Sequence, residues 1–111
     1  MRTETKKSIG LETILEILQI AKSKANFQNT RGASRAYLCL DGIDIKQLNV
    51  IKKAMRILGY RYLGKAYGTC SSKAFYIGYD NFQGRAISTA QNMASALKNM
   101  GISASYDVVA D

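Results

Sequence analysis

The chain contains no histidine, no tryptophan and no proline among its 111 residues, and it has two cysteines. Without histidine it cannot by itself form a histidine-containing catalytic triad, a histidine-ligated zinc site or a histidine-based nuclease centre. Cys39 and Cys70 are too far apart in the chain to form a close-spaced metal-binding pattern. We therefore expect no cofactor and no metal, and the low cysteine content is typical of a reduced, cytoplasmic protein.

Acidic residues are missing from one long part of the chain. No aspartate or glutamate occurs from Ile45 to Tyr79, and the net charge of the whole chain is +8. The basic residues of this window are Lys46, Lys52, Lys53, Arg56, Arg61, Lys65 and Lys73. Its tyrosines are Tyr60, Tyr62, Tyr67, Tyr76 and Tyr79. A positive field on one side of a protein attracts polyanions or acidic protein surfaces.

The size and hydropathy of the chain limit its architecture. A chain of 111 residues, of which 47% are hydrophobic, is sufficient for one folded domain with a single core. No apolar stretch approaches the roughly 18 residues that a membrane-spanning helix needs, so we expect no membrane partner. The mostly polar residues 1–10 are predicted to be a flexible tail.

The segment after this tail has the spacing of an amphipathic helix. From residue 11 to about residue 25, apolar side chains recur at helical intervals, at Leu11, Ile14, Leu15, Leu18 and Ala21. The polar residues 26–34 that follow are predicted to be a loop. Residues 11–34 are therefore predicted to be an N-terminal helix and loop that precede the repeated part of the chain, and this helix is available to cover a sheet face or to mediate self-association.

Residues 35–111 contain one short pattern twice. RAYLCLD at 35–41 and KAFYIGYD at 73–80 each combine a basic residue, an alanine, an aromatic and apolar run, and an aspartate. Each is followed by a helical pattern that ends on a glycine, Gly59 or Gly101, and then by a strand-like segment. Two such units predict an α+β fold, a ferredoxin-like βαββαβ sandwich with a four-stranded antiparallel sheet and two helices on one face.

The two units divide into strands at 35–40, 60–67, 73–79 and 102–109, helices at 45–58 and 85–100, and turns or loops at 68–72 and 80–84. Right-handed crossovers are expected to place the first and third strands together and parallel in the centre of the sheet, with the other two strands at its edges.

Alternation along the third strand predicts which side chains face the helices. Tyr76 is opposite in phase to Phe75, Ile77 and Tyr79, so we expect Phe75 and Ile77 to face the helices and Tyr76 to face the open side beside Tyr37. An open face that carries Tyr37, Cys39 and Tyr76 exposes apolar surface, which monomers generally avoid. We therefore expect a homodimer that buries either this face or the N-terminal helix.

The basic, tyrosine-rich window gives the strongest functional signal. Aromatic faces stack on bases and cations bind phosphates, and proteins that bind single strands combine both. The predicted binding residues are Lys46, Lys52, Lys53, Arg56, Arg61, Lys65, Lys73, Tyr37 and Tyr76. The sheet resembles the platform of RNA-recognition motifs, and KAFYIGY partly resembles their second signature stretch. Its last aromatic residue, Tyr79, is one position late, so membership of that family is not inferred.

Two aspartates give a second, weaker signal. Asp41 and Asp80 each end a predicted strand, and because those strands are expected to be neighbours, the two carboxylates together could hold Mg²⁺. An aspartate at the end of the first strand resembles small CRISPR-adaptation nucleases and related toxin ribonucleases, which implies metal-dependent cleavage. Both aspartates also precede turn residues, Gly42 and Asn81, and aspartates commonly start turns and cap helices. We favour this structural interpretation.

Together these patterns predict a small, basic, non-catalytic module that binds RNA or single-stranded DNA through a surface rich in lysine, arginine and tyrosine. The first alternative is a protein-binding inhibitor or adaptor, such as a small phage- or plasmid-type protein that blocks a host nucleic-acid enzyme or defence system. The second alternative is a metal-dependent nuclease of ferredoxin-like fold. A basic surface attracts polyanions and acidic protein surfaces alike, so the first two functions follow from the same residues.

Overall fold

The structure is a computed structural model that describes residues 8–26, 28–65, 68 and 72–110. Its elements are α1 (Leu11–Ser23), β1 (Gln28–Leu40), α2 (Ile45–Ile57), β2 (Arg61–Gly64), β3 (Ala74–Gly84), α3 (Ala86–Asn99) and β4 (Ala104–Ala110). Most of the predicted tail, together with Tyr67, Cys70 and most of the predicted 68–72 turn, lies outside the described residues.

The four strands form one antiparallel sheet in the order β2-β3-β1-β4, which confirms the α+β class. It also confirms that the first and third strands are central and that the second and fourth are at the edges. The expectation that β1 and β3 run parallel is wrong. The helical crossover makes β1 and β2 run in the same direction, and the chain then reverses between β2 and β3.

The two central strands are longer than the sequence predicts. β1 begins at Gln28 and β3 continues to Gly84, so the segments predicted as loops, 26–34 and 80–84, contribute paired strand residues. They pair with each other, from Gln28 opposite Gly84 to Ser34 opposite Asp80, with an irregularity in between. Both segments are polar, and polarity predicted loops, but a ladder of backbone hydrogen bonds does not require apolar side chains.

The N-terminal helix has the predicted apolar stripe, with Ile14, Leu18 and Ala21 buried. This stripe packs against α2 and α3 of the same chain, and it joins the core between the helices and the sheet. The helix therefore neither covers the second face of the sheet nor leaves its stripe available for a partner. None of the described helices is both long and apolar enough to cross a membrane.

A β-bulge in β3 changes the alternation that the sequence predicts. Ala36 pairs with Gly78 and Tyr37 pairs with Tyr76, so Ile77 is the extra residue between two paired positions. Up to and including the bulged residue the prediction is confirmed, because Phe75 and Ile77 lie in the helix-side core. After it, Tyr79 pairs with Arg35 and lies on the second face, contrary to the expectation from strict alternation.

The second face of the sheet is covered rather than open. Tyr76 lies beside Tyr37 as predicted, with 5.8 Å between ring centroids, but Tyr37 is 3% exposed and Cys39 is 1% exposed. The cover comes in part from the connection between β2 and β3: a Cβ built on Gly68 would be 3.0 Å from Val109 Cγ1. Val109 is on β4, at the opposite edge from β2, so Gly68 lies over the second face on its β4 side.

Candidate nucleic-acid interface

The outward face of α2 is a row of polar and basic side chains. Lys46, Asn49, Lys53 and Arg56 are all exposed, as their spacing of three or four residues predicts. The opposite side of the helix is fixed in the core by Leu48, Ile51, Ala54 and Met55. With a rise of about 1.5 Å per residue, the row is about 15 Å long from Lys46 to Arg56.

The edge strand β2, next to α2, adds two more cations, of which Arg61 pairs with Tyr76 and so points to the second face of the sheet. Arg61 and Lys65 are exposed, while Tyr62 points toward α2 and is half-buried. Lys52 Nζ lies 4.2 Å from the centroid of the Tyr62 ring, and that ring packs on Phe75 at 4.8 Å between centroids. The cation–π contact therefore holds the Lys52 ammonium group at the junction between α2 and β2.

The chain connections place these residues along one edge of the molecule. Because β1 and β2 run in the same direction, Lys46 at the start of α2 lies at the same end of the sheet as Lys65. Arg56 and Arg61 lie together at the other end. We call this surface the basic edge, and it consists of Lys46, Lys52, Lys53, Arg56, Arg61 and Lys65.

Lys73, the seventh predicted basic residue, sits just before β3, and the pairing of Gly64 with Ala74 brings it close to Lys65. It is half-buried, and its carbonyl oxygen accepts a hydrogen bond from Leu40 N. The carboxylates nearest to the basic edge in sequence are at its Lys46 end. Asp44 accepts a hydrogen bond from Lys46 N at 3.3 Å and so caps α2.

The structure does not support the two tyrosines predicted to stack on bases. Tyr37 is buried and Tyr76 is half-buried on the covered second face, so neither ring offers a free stacking surface. The sequence did not predict Tyr79 as a candidate, yet it is 48% exposed on that same face. The bulge at Ile77, which has no clear sequence signal, is what turns Tyr79 to this side.

The structure does not bring Asp41 and Asp80 together, so the predicted aspartate pair is not formed. Asp41 follows the end of β1 and is exposed, whereas Asp80 is buried opposite Ser34. From Ser34 to Asp41 there are seven residue steps along the chain, or about 23 Å at 3.3 Å per residue. In the described part of the chain, no three potential metal ligands of the His, Cys, Asp or Glu type come together.

Asp80 instead caps α3 from within β3. Its two carboxylate oxygens accept hydrogen bonds from Ala86 N at 3.0 Å and Ile87 N at 3.1 Å. Arg85, at the N-cap position itself, makes no capping hydrogen bond with its side chain. A Cβ on Gly84 would overlap the Asp80 carboxylate, so glycine is needed there for the cap to form. Asp80 therefore caps a helix, which is the structural role that the sequence favoured for this residue.

A cleft of about 610 Å³ lies between the end of α1 and the start of α3. Lys22, Tyr60 and Arg85 are among its lining residues, and Lys22 Nζ is 5.3 Å from the centroid of the Tyr60 ring. Burial raises the pKa of the Tyr60 hydroxyl, so this group stays neutral at physiological pH. The Asp80 carboxylate, which also lines this cleft, accepts hydrogen bonds from the first backbone N–H groups of α3.

A scan against protein-family models and searches of curated proteins and of solved structures find no match to this chain. What is known of the site is therefore its geometry and charge. The basic edge is a group of six like-charged residues, exposed except for the half-buried Lys52, that the sequence predicted and the structure brings to one side of the molecule.

Proposed function

We propose that this protein binds RNA or single-stranded DNA through the basic edge and that it does so without catalysis. The observation that carries the proposal is the group of cations on α2 and β2, exposed except for the half-buried Lys52, within a window from Ile45 to Tyr79 that contains no acidic residue. Exposed lysine and arginine side chains bind phosphates and release counterions, which supplies affinity without sequence recognition.

Phosphate contacts, rather than base stacking, are the main source of affinity in this proposal. Tyr37 is buried and Tyr76 is half-buried, so the aromatic contribution that a single-strand binder often uses is small here. Lys52 is held against Tyr62, and the ordered position of its ammonium group reduces the entropy lost when a phosphate binds.

We also propose a more specific fold, a cellular location and an oligomeric state. The order βαββαβ from β1 to β4, with α1 added on the helical side, supports a ferredoxin-like fold. We further propose that the protein acts in the cytoplasm and forms a homodimer.

A second candidate function is an inhibitor or adaptor that binds an acidic protein surface. The observation that favours it is the presence of two exposed aliphatic side chains at the ends of the basic row: Ile45 is 64% exposed and Ile57 is 55% exposed. Phosphate groups gain nothing from such side chains, whereas a protein partner can bury them.

The direct test reverses two charges of the row in the variant Lys53→Glu/Arg56→Glu. Its matched control is Lys24→Glu/Lys98→Glu, which makes the same change in net charge at exposed positions on other helical segments. Arg56 is in the last turn of α2, Lys98 is in the last turn of α3 and Lys24 is the C-cap of α1, so the control places at least as much negative charge at helix C-termini as the basic-edge variant does. Fluorescence anisotropy with labelled mixed-sequence RNA and single-stranded DNA measures the affinity.

We expect the basic-edge variant to bind at least about tenfold more weakly, and the control to change affinity by less than about threefold. Equal losses in both variants would show that net charge alone attracts the polyanion. If the wild type fails to bind either nucleic acid at low salt, the proposal is wrong; a pull-down that recovers an acidic protein dependent on Ile45 and Ile57 would then support the second function.

A further inference from the structure

The edge strand β4 has the features of a strand that pairs with another chain. It is seven residues long and lies at the end of the sheet, with β1 as its neighbour among the described residues. Tyr106 is 38% exposed and Val108 is 43% exposed, and both lie on the helix side of the sheet, opposite Leu38 and Ala36. An edge strand of this length presents a row of unpaired backbone donors and acceptors.

The devices that usually protect such an edge are present on β2 and absent from β4. β2 is four residues long, has a register irregularity before Gly64, and is flanked by Arg61 and Lys65. β4 contains no lysine, no arginine and no proline. Its one charged residue, Asp107, points to the second face, where its Oδ2 accepts a hydrogen bond from Cys39 Sγ at 3.5 Å. The exposed side of β4 is therefore uncharged.

We propose that β4 pairs antiparallel with β4 of a second copy of this chain and so forms a continuous eight-stranded sheet. The helix side of β4 is uncharged, so it can lie beside its own copy without burying a charge, and charge selects this arrangement among the possible dimers. Each copy has a net charge of +8, so two copies repel each other, and they repel least when their basic edges are farthest apart. No basic residue follows Lys98, so β4 is the less basic of the two sheet edges in the described part of the chain.

The sheet order gives the separation directly. In the dimer the two β2 strands are the outermost strands, seven strand spacings apart, or about 34 Å at about 4.8 Å per spacing. Asp107 also restricts the register, because a pairing centred on it would oppose two carboxylates. Pairings centred on Tyr106 or on Val108 avoid that contact, and both bury the Val108 side chains of the two copies.

The proposed dimer does not depend on nucleic-acid binding. Dimerisation and nucleic-acid binding can be told apart by their opposite dependence on salt concentration. Dimerisation should strengthen as salt screens the repulsion between two positively charged copies, whereas binding to a polyanion should weaken. The test uses the full chain after nuclease treatment, so that nucleic acid cannot bridge two copies. Light scattering over a concentration series, at low and at high salt, measures the dissociation constant.

The variant Val108→Lys places a charge on the outer side of β4, and Ile57→Lys is its matched control, since Ile57 is equally aliphatic, more exposed and on α2. We expect Val108→Lys to raise the dimer dissociation constant at least about tenfold and Ile57→Lys to change it less than about twofold. Thermal melting checks that both variants fold.

Hydrogen exchange supplies a second readout in the wild type. At high concentration we expect new amide protection within residues 104–110 of β4 and none within residues 61–64 of β2. The proposal is overturned if the wild type is monomeric throughout the series, if the two lysine variants weaken the dimer equally, or if the new protection appears at β2 instead of β4.

Discussion

The two strand–helix–strand units, β1–α2–β2 and β3–α3–β4, start from the same residue pattern and produce different surfaces. The exposed face of α2 carries Lys46, Lys53 and Arg56, whereas that of α3 is mostly uncharged, with Gln91 and Ser95 exposed. The first unit ends in a short, basic edge strand, and the second ends in a longer edge strand with exposed apolar side chains.

The difference shows that a repeated backbone plan does not require repeated surface chemistry. The helices and strands of both units are set by apolar side chains that face the common core. The outward positions are free of that requirement, so their charge can differ between units without cost to the fold. We infer that the first unit binds polyanions and that the second unit pairs with another copy of the chain.

The largest change in stability is expected at Tyr37. This residue belongs to the first unit, but it packs in the small cluster on the second face of the sheet. We expect Tyr37→Ala to lower the free energy of unfolding by about 4 kcal/mol, because a fully buried aromatic side chain is lost and a cavity remains. Urea denaturation followed by circular dichroism measures it.

The matched change is Tyr79→Ala in the second unit, at a position that is 48% exposed on the same face. We expect it to cost less than about 1 kcal/mol, since little buried surface is lost. A cost below about 1 kcal/mol for Tyr37→Ala as well would show that the face is open in solution. Tyr37 would then be available for stacking on bases.

A smaller difference in stability is expected between substitutions of the two aspartates of the repeated pattern. Asp80→Ala leaves Ala86 N and Ile87 N without their acceptor, and we expect a loss of about 2 kcal/mol in the free energy of unfolding. Asp41→Ala, at the equivalent and exposed position of the first unit, should change it by less than about 0.5 kcal/mol. Equal losses in the two variants would contradict the different roles assigned to these residues.

Much of this fold could be predicted from the sequence, because its strongest signals are local. Helical spacing of apolar residues located all three helices, and Gly59, with a φ of 92°, ends α2 as predicted. The order of strands across the sheet followed from connection rules. The extensions of β1 and β3 were missed because two polar segments pair with each other through their backbones, and that pairing joins residues about 50 positions apart.

The basic edge could also be predicted, since its residues share a helix face and an adjacent strand. Whether Tyr37 and Tyr76 are exposed, and whether Asp41 and Asp80 come together, could not be predicted, because each depends on strand register rather than on residue type. One extra residue at Ile77 decides which face Tyr79 occupies, and the antiparallel direction of β3 puts Asp41 and Asp80 at opposite ends. The cover over Tyr37 involves Gly68, which is near Val109 in space but far from it in sequence.

The most direct test of the central claim is the salt dependence of nucleic-acid binding by the wild-type protein. If the basic edge binds phosphates, the logarithm of the association constant falls linearly with the logarithm of salt concentration, by about 0.7 for each phosphate contacted on a single strand. Contacts from all six residues of the basic edge would give a slope of about −4, and Lys53→Glu/Arg56→Glu should reduce its magnitude by about 1.4. Absent binding at low salt, or an affinity that does not change with salt, would contradict the claim.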